Sequence, residues 1–115
     1  MAMIHPMIYV GLEGTVLGVD QMYPTIVEAV ASEFNVTVNQ IFLKSRKREL
    51  VDCRRCIAFI LREFYQLTYH TIAKKFKCDH STIVHGVQKT HELLQYDQHF
   101  QSKFISITSK LNIQF

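Results

Sequence analysis

Two helical patterns separated by only two residues constrain this fold more than any other feature of the sequence. Ile72 and Phe76 lie four positions apart, as on one face of a helix, and Lys77-Cys78 then leads directly to Asp79. Asp79 is a favourable N-cap for a second helix. The residues that recur at helical spacing after this cap are Ile83, Val87, Thr90 and Leu94. A helix, a brief turn and a second helix form the helix-turn-helix outline, which we therefore predict for this region.

Capping signals divide the rest of the chain into further helices. Pro24 suits the first turn of a helix whose apolar pattern extends to Asn35, and Thr37 and Gln40 have capping-box spacing for a short second helix. Further helices are predicted to begin near Asp52, Thr68 and Asp97. We therefore predict an all-α helix-turn-helix bundle of about six helices in residues 21–115.

Residues 1–20 differ in composition and are predicted to form an N-terminal extension. The apolar run in this segment is interrupted by glycines and Glu13 and has no positively charged residues before it, so it is a poor signal peptide and too short to span a bilayer. The pattern is compatible with a β-hairpin turning at Glu13-Gly14 or with an irregular arm. The extension could pack on the domain's own core, form a homodimer with a second copy, or bind a protein partner.

The net charge of +3 is distributed unevenly along the 115 residues. Residues 1–43 contain four carboxylates and no Lys or Arg, whereas residues 44–89 contain eleven Lys or Arg against four Asp or Glu, a net charge of +7. The remaining residues sum to zero. An acidic first part followed by a basic middle indicates that one face of the fold meets a polyanion.

The densest positive charge lies in the sequence K-S-R-K-R, which follows the short second helix. Its cations are Lys44, Arg46, Lys47 and Arg48. Arginine is a planar cation rich in hydrogen-bond donors, which suits it to phosphates or to the negative potential of a narrow minor groove. We predict that this basic loop contacts DNA, with Arg46 or Arg48 as the inserted side chain.

Short polar side chains open the helix that follows the two-residue turn. The hydroxyls of Ser81 and Thr82 can donate or accept hydrogen bonds at base edges, and Asp79 can accept one from a cytosine amino group. Arg54 and Arg55 are positioned in the sequence to hold the DNA backbone on the opposite side. The predicted partner is therefore double-stranded DNA, with a recognition helix in the major groove and the basic loop in the minor groove.

These residues also resemble a known family. The loop arginines, the Arg54-Arg55 pair and the sequence D-H-S-T-I-V-H-G at 79–86 resemble the C-terminal DNA-binding domain of the bacterial replication initiator DnaA. Four of the first seven positions of that sequence are identical to the family motif D-H-T-T-V-L-H. The resemblance covers roughly Tyr23 to Leu111 and implies the same all-α fold.

The resemblance implies roles for individual residues. Arg46 would be the minor-groove arginine, and Arg54 and Arg62 would touch phosphate or neighbouring bases. The residues implied to read the major groove are Asp79, His80, Ser81 and Thr82. His85 would lie one turn further along, within reach of the backbone, and Lys89 completes the predicted set of DNA-binding residues.

The chain departs from the family pattern at two places. Cys53 opens a segment where the family has Pro-Arg-Gln, and Lys77-Cys78 replaces a turn that usually reads Gly-Gly-Arg. We therefore expect a base preference that can differ from the initiator box. The sequence has no G-x-x-x-x-G-K-[ST] loop and no room for an ATPase domain, so no nucleotide is predicted. Replication control, transcription regulation and a mobile-element role all remain open.

A zinc-binding protein, an enzyme and a protein-interaction module are the alternatives to a DNA-binding protein. Cys53 and Cys56 have the spacing of a zinc half-site, with Cys78, His80 and His85 as further candidate ligands, but cysteines in an apolar helix stripe usually pack as small hydrophobic residues. No metal or other cofactor is therefore predicted. No enzyme is predicted either, because the carboxylates of the basic region are spread over three elements. The alternative function is a protein-interaction module with the same fold and no specific DNA binding.

The cysteine content bears on the compartment. Three cysteines, two of them within a predicted helix, do not fit a disulfide framework and favour a reducing cytoplasm. For a DNA-binding protein this predicts a nucleoid-associated location.

Overall fold

Six helices follow one another along residues 19–113, which are the residues that the computed structural model describes. These helices are α1 (Val19–Phe34), α2 (Val38–Ile41), α3 (Arg48–Glu63), α4 (Tyr69–Phe76), α5 (His80–Tyr96) and α6 (Gln98–Lys110). The described residues contain no strand, and the predicted all-α fold is confirmed. The hairpin predicted around Glu13-Gly14 lies outside the described residues.

Local capping bonds explain several of the helix boundaries. The Thr37 hydroxyl accepts a hydrogen bond from the Gln40 backbone N–H at 3.1 Å, and the Gln40 side chain accepts one from the Thr37 N–H at 2.8 Å. This is the predicted capping box. Thr68 and Asp97 each accept a hydrogen bond from the backbone N–H three residues later, at 3.1 and 3.0 Å. The predicted caps of α2, α4 and α6 are therefore confirmed.

The predicted start of α1 at Pro24 is wrong, because the helix begins at Val19 and Pro24 lies inside it. Val19 and Met22 are partly buried against the core, so apolar burial extends the helix upstream of the proline. Pro24 lacks only one helical N–H, and the packing of the first turns offsets that loss.

The predicted start of α3 at Asp52 is also wrong. The helix begins at Arg48 after Lys47, whose side chain makes no capping bond, and Leu50 in its first turn is buried. Asp52 lies one turn inside the helix, where its carboxylate is 3.2 Å from Arg48 Nε. Asp52 therefore forms an i,i+4 ion pair instead of a cap.

Helix α3 is the centre of the bundle. It contacts α1, α2, α4 and α5, and its residues from Cys56 to Leu61 are all buried. Phe59 packs edge-on against Phe104 of α6, with 5.5 Å between the ring centroids. Because α3 is buried along its apolar side, its polar side is held in a fixed position at the surface.

Both cysteines of the possible zinc half-site belong to this core. Cys53 and Cys56 are fully buried, and burial raises the pKa of the Cys53 thiol to about 12. Among the described residues, no three His, Cys, Asp or Glu side chains come together as a metal site would require. The two thiols pack as small hydrophobic groups.

A left-handed residue makes the turn between α4 and α5. Lys77 has a φ of 54°, and the Cys78 N–H donates a hydrogen bond to the Ala73 carbonyl at 3.1 Å. This bonding pattern ends α4 and reverses the chain within two residues. The turn lets α5 pack against both α3 and α4. Over residues 19–113, none of the helices is long and apolar enough to cross a membrane.

Candidate nucleic-acid interface

A groove of about 880 Å³ runs between the loop after α2, the polar side of α3 and the start of α5. It brings together six of the residues that the sequence predicted to bind DNA. These lining residues are Lys44, Arg54, Arg55, Ser81, Thr82 and His85. Neither α1 nor α6 contributes to the lining. Lys44 of the predicted loop and three residues of the predicted recognition helix therefore lie on one groove. The other seven predicted residues are not part of its lining: Arg46, Lys47, Arg48, Arg62, Asp79, His80 and Lys89.

The basic loop presents its cations to solvent. Lys44, Arg46, Lys47 and Arg48 are all exposed. Within the described residues, the first three make no ion pair. The Ser45 hydroxyl accepts a hydrogen bond from the Lys47 N–H at 3.2 Å, which fixes the turn of the loop. The unpaired cations are available to an external anion.

Arg48, which the sequence placed in the loop, is the first residue of α3 and has partners within the protein. Its Nε lies 3.2 Å from Asp52, and its guanidinium is 4.0 Å from Asp97. Burial raises the pKa of the Asp52 carboxyl, against the lowering effect of the adjacent Arg48 charge. Arg48 is therefore partly engaged, whereas Arg46, the other candidate inserted arginine, makes no ion pair within the described residues.

Arg54 points toward the protein. Its Nε donates to the Ile41 carbonyl at 2.6 Å, and its Nη2 donates to the carbonyls of Leu43 and Ser45 at 2.6 and 2.9 Å. Burial lowers the pKa of this guanidinium from its ordinary value. Arg54 thus satisfies carbonyls at the end of α2 and in the basic loop.

Arg62 is also engaged within the fold. Its Nη1 donates to the Leu67 carbonyl at 3.0 Å, and its guanidinium carbon lies 4.1 Å from the centre of the Tyr69 ring. The stacked cation holds the connection between α3 and α4. Contact between Arg62 and DNA remains a prediction.

The first turn of α5 is exposed, as a recognition helix requires. Asp79, His80, Ser81 and Thr82 are all exposed. Asp79 occupies the N-cap position, but its side chain makes no capping hydrogen bond. His80 packs edge-on against Tyr69, with ring centroids 5.7 Å apart. Four polar side chains therefore project from the helix start with their donors and acceptors at the surface.

The two predicted residues further along α5 differ in their surroundings. His85 is exposed and lines the groove. The Lys89 ammonium is 3.4 Å from the Glu92 carboxylate, an exposed pair one turn apart. Such surface pairs exchange readily with other ions, so Lys89 can still meet a phosphate.

Sequence reasoning missed the apolar part of the groove. Phe42 stacks on Phe76 with 5.6 Å between ring centroids, and the neighbouring Leu43 is 58% exposed. The signal in the sequence was the run of three apolar residues after the capping box, which is longer than a four-residue helix needs for its contact with the core. In the structure only Ile41 of this run is buried, and Phe42 and Leu43 are exposed. The stack joins the end of α2, two residues before the basic loop, to the end of α4.

The short helix α4, the two-residue turn and the longer helix α5, together with the cationic groove beside them, define a DNA-binding helix-turn-helix protein. Comparison with known families supports this class of protein and identifies the particular family. A family model described as "Bacterial dnaA protein helix-turn-helix" matches residues 23–90, and the chain belongs to this family. The match includes the basic loop, α3, the turn and most of α5.

Similar relatives bear one name, "Chromosomal replication initiator protein DnaA". The protein from Nautilia profundicola is 33% identical over 90 residues, which are 77% of this chain and 21% of that relative. The protein from Mycoplasma pneumoniae is 35% identical over 82 residues, 71% of this chain and 19% of that relative. The chain thus spans about a fifth of the length of these relatives.

Proposed function

We propose that this protein binds specific sequences in double-stranded DNA, with the start of α5 in the major groove and the basic loop in the adjacent minor groove. The observation that carries the proposal is the groove, which has Lys44 of the basic loop on one wall and Ser81 and Thr82 on the other, with Arg46 exposed two residues after Lys44. One sugar-phosphate backbone separates a major groove from the neighbouring minor groove. A protein that reads both must straddle that backbone.

The cations of the groove suit the backbone that would lie between its walls. Lys44 and Arg55 line the groove, and neither is ion-paired within the described residues. They would neutralise phosphates without reading sequence. Arg46 would enter the minor groove, where a narrow A·T-rich segment has the most negative potential.

Base selection would come from the first turn of α5. The Ser81 and Thr82 hydroxyls can donate or accept, the Thr82 methyl can touch a thymine methyl, and the Asp79 carboxylate accepts only. Because Asp79 makes no capping bond, its oxygens remain available to a cytosine amino group. His80 would contribute from the same turn.

The family suggests the biological setting. The relatives carry the name of a chromosomal replication initiator, and this chain matches about a fifth of their length. We infer that the domain recognises DNA sites in the bacterial nucleoid and acts in control of replication. Transcription regulation and a mobile-element role use the same interface and differ in the sites bound.

Selection from a randomised duplex pool, at two salt concentrations, tests the proposal. The wild type should enrich a motif, and Arg46→Ala should weaken retention of every duplex. Thr82→Ala should broaden the motif. If the wild type enriches nothing and its retention does not depend on salt, specific DNA binding is wrong. Likeness of the motif to an initiator box decides between replication control and the other roles.

The second candidate function is a protein-interaction module. Exposed Leu43, beside the Phe42–Phe76 stack, favours it, because a purely phosphate-binding groove has no need of apolar side chains. Salt separates the candidates: phosphate contacts weaken steeply as salt rises, whereas apolar contacts do not.

A further inference from the structure

We propose that Arg54 is a positioning residue that fixes the basic loop at its distance from the recognition helix, and that it does so by binding backbone carbonyls instead of DNA. This inference rests on the proposed DNA-binding function. It differs from the sequence-based prediction, in which Arg54 contacts phosphate. The consequence is that Arg46 reaches the minor groove only while Arg54 holds the loop.

Three hydrogen bonds carry the argument. The Arg54 guanidinium donates to the carbonyls of Ile41, Leu43 and Ser45, which precede it by 13, 11 and 9 residues. These carbonyls span the end of α2 and the first half of the loop. A single planar cation on the rigid α3 therefore fixes alternate residues of the segment that leads to Arg46.

The fixed positions explain how an irregular loop can be ordered. The carbonyls at the end of a short helix lack helical partners and must find other donors. Arg54 donates to the Ile41 carbonyl and to the carbonyls of Leu43 and Ser45. The Ser45 hydroxyl then fixes the following turn, because it accepts a hydrogen bond from the Lys47 N–H. Three of the five Arg54 N–H donors are engaged, which leaves only the two on Nη1 for a phosphate.

The adjacent arginine provides a matched control. Arg55 also lines the groove, but the described residues accept no hydrogen bond from its guanidinium. Its side chain passes over Gly86 of α5, where a Cβ would lie 3.5 Å from the Arg55 Cγ. The two neighbours have the same charge and line the same groove, but only Arg54 anchors the loop.

Lysine separates the two possible roles of each arginine. Lysine keeps the positive charge and can meet a phosphate, but its ammonium cannot form the fork that reaches three carbonyls at once. Arg55→Lys should lose about two- to threefold in affinity for the selected duplex, as expected for a groove arginine that meets phosphate through its charge. Arg54→Lys should lose about tenfold or more, comparable to the loss in Arg46→Ala, because the minor-groove contact is lost with the loop position.

A double-mutant cycle tests the coupling. If Arg54 acts through the loop, Arg54→Lys combined with Arg46→Ala should bind no more than about twofold less tightly than Arg46→Ala alone. Additive losses, or wild-type affinity in Arg54→Lys, would show that Arg54 meets phosphate directly and would overturn the inference.

Limited trypsin digestion of the full chain tests the anchor without DNA. The loop carries three trypsin sites, at Lys44, Arg46 and Lys47, and a fourth follows at Arg48, the first residue of α3. Arg54→Lys should accelerate cleavage within the loop at least severalfold at unchanged helical circular dichroism, whereas Arg55→Lys should not. Equal rates in the two variants would contradict the anchor.

The two assays distinguish failure of this inference from failure of the proposed function. A wild type that binds no duplex refutes the function, while the digestion rates still decide whether Arg54 anchors the loop. If Arg54→Lys melts below the assay temperature, the digestion is repeated in a Lys77→Gly background, which relieves the left-handed turn. Unchanged loop cleavage in that folded background would equally overturn the inference.

Discussion

Replacing Lys77 by glycine should stabilise the protein. Lys77 has a φ of 54°, in the left-handed region. A non-glycine residue in this region lowers the free energy of unfolding by about 1–2 kcal/mol, a cost that glycine avoids. Glycine has more conformational freedom in the unfolded chain, which offsets about 0.5–1 kcal/mol of that benefit. The expected net gain in the free energy of unfolding is about 0.5–1 kcal/mol, which raises Tm by roughly 2–6 °C for a domain of this size.

Thermal unfolding followed by circular dichroism measures this gain, with urea unfolding as a second route to the free energy. Lys74→Gly is the matched control, since Lys74 is exposed inside α4 and the same substitution there should cost about 1 kcal/mol. The reasoning fails if the two glycine variants change Tm in the same direction. Loss of the Lys77 charge at the groove is a separate effect, visible only in DNA affinity.

Three further predictions follow from the interface and the core. Arg46→Ala should weaken binding to all duplexes and reduce the slope of log K against log salt by about 0.9, whereas Thr82→Ala should leave the slope unchanged and broaden the selected motif. Ser106→Ala should cost about 1 kcal/mol in urea unfolding at pH 7 and less near pH 3. The Ser106 hydroxyl lies 2.7 Å from the Glu33 carboxylate and, together with Lys110, lowers the pKa of Glu33. The stability that comes from this charged carboxylate is therefore fully present above the ordinary pKa of glutamate and is lost as pH falls through the lowered pKa. An equal cost of Ser106→Ala at both pH values would contradict this. Chelators should leave Tm unchanged, because Cys53 is a buried thiol of the core. A fall in Tm on addition of a chelator would instead support a structural zinc site.

The helix-turn-helix could be predicted because its determinants are local. The caps at Thr37, Thr68 and Asp97 act within three residues, and the apolar spacing of α5 is readable without knowing its neighbours. The starts of α1 and α3 could not be predicted in the same way. They depend on burial that the local pattern does not reveal: Val19 is partly buried against the core, and Leu50 is buried in the first turn of α3.

The candidate site could be predicted as a set of residues but not as a set of side-chain directions. Six of the predicted residues line one groove, and they come from the loop, α3 and α5. Whether an arginine faces outward depends on which carbonyls the fold brings within reach. Arg54 finds carbonyls up to 13 residues away, and Arg62 finds one five residues away beside the Tyr69 ring.

The stack of Phe42 on Phe76 has a consequence for the DNA as well as for the protein. An apolar contact between the end of α2 and the end of α4 does not weaken as salt rises, so it should keep the two segments proposed to contact DNA at the same separation at different salt concentrations. A duplex must then match that separation by adjusting its own groove width and bend. Sequences with flexible pyrimidine–purine steps deform at lower free-energy cost, so bases that no side chain touches would still influence affinity.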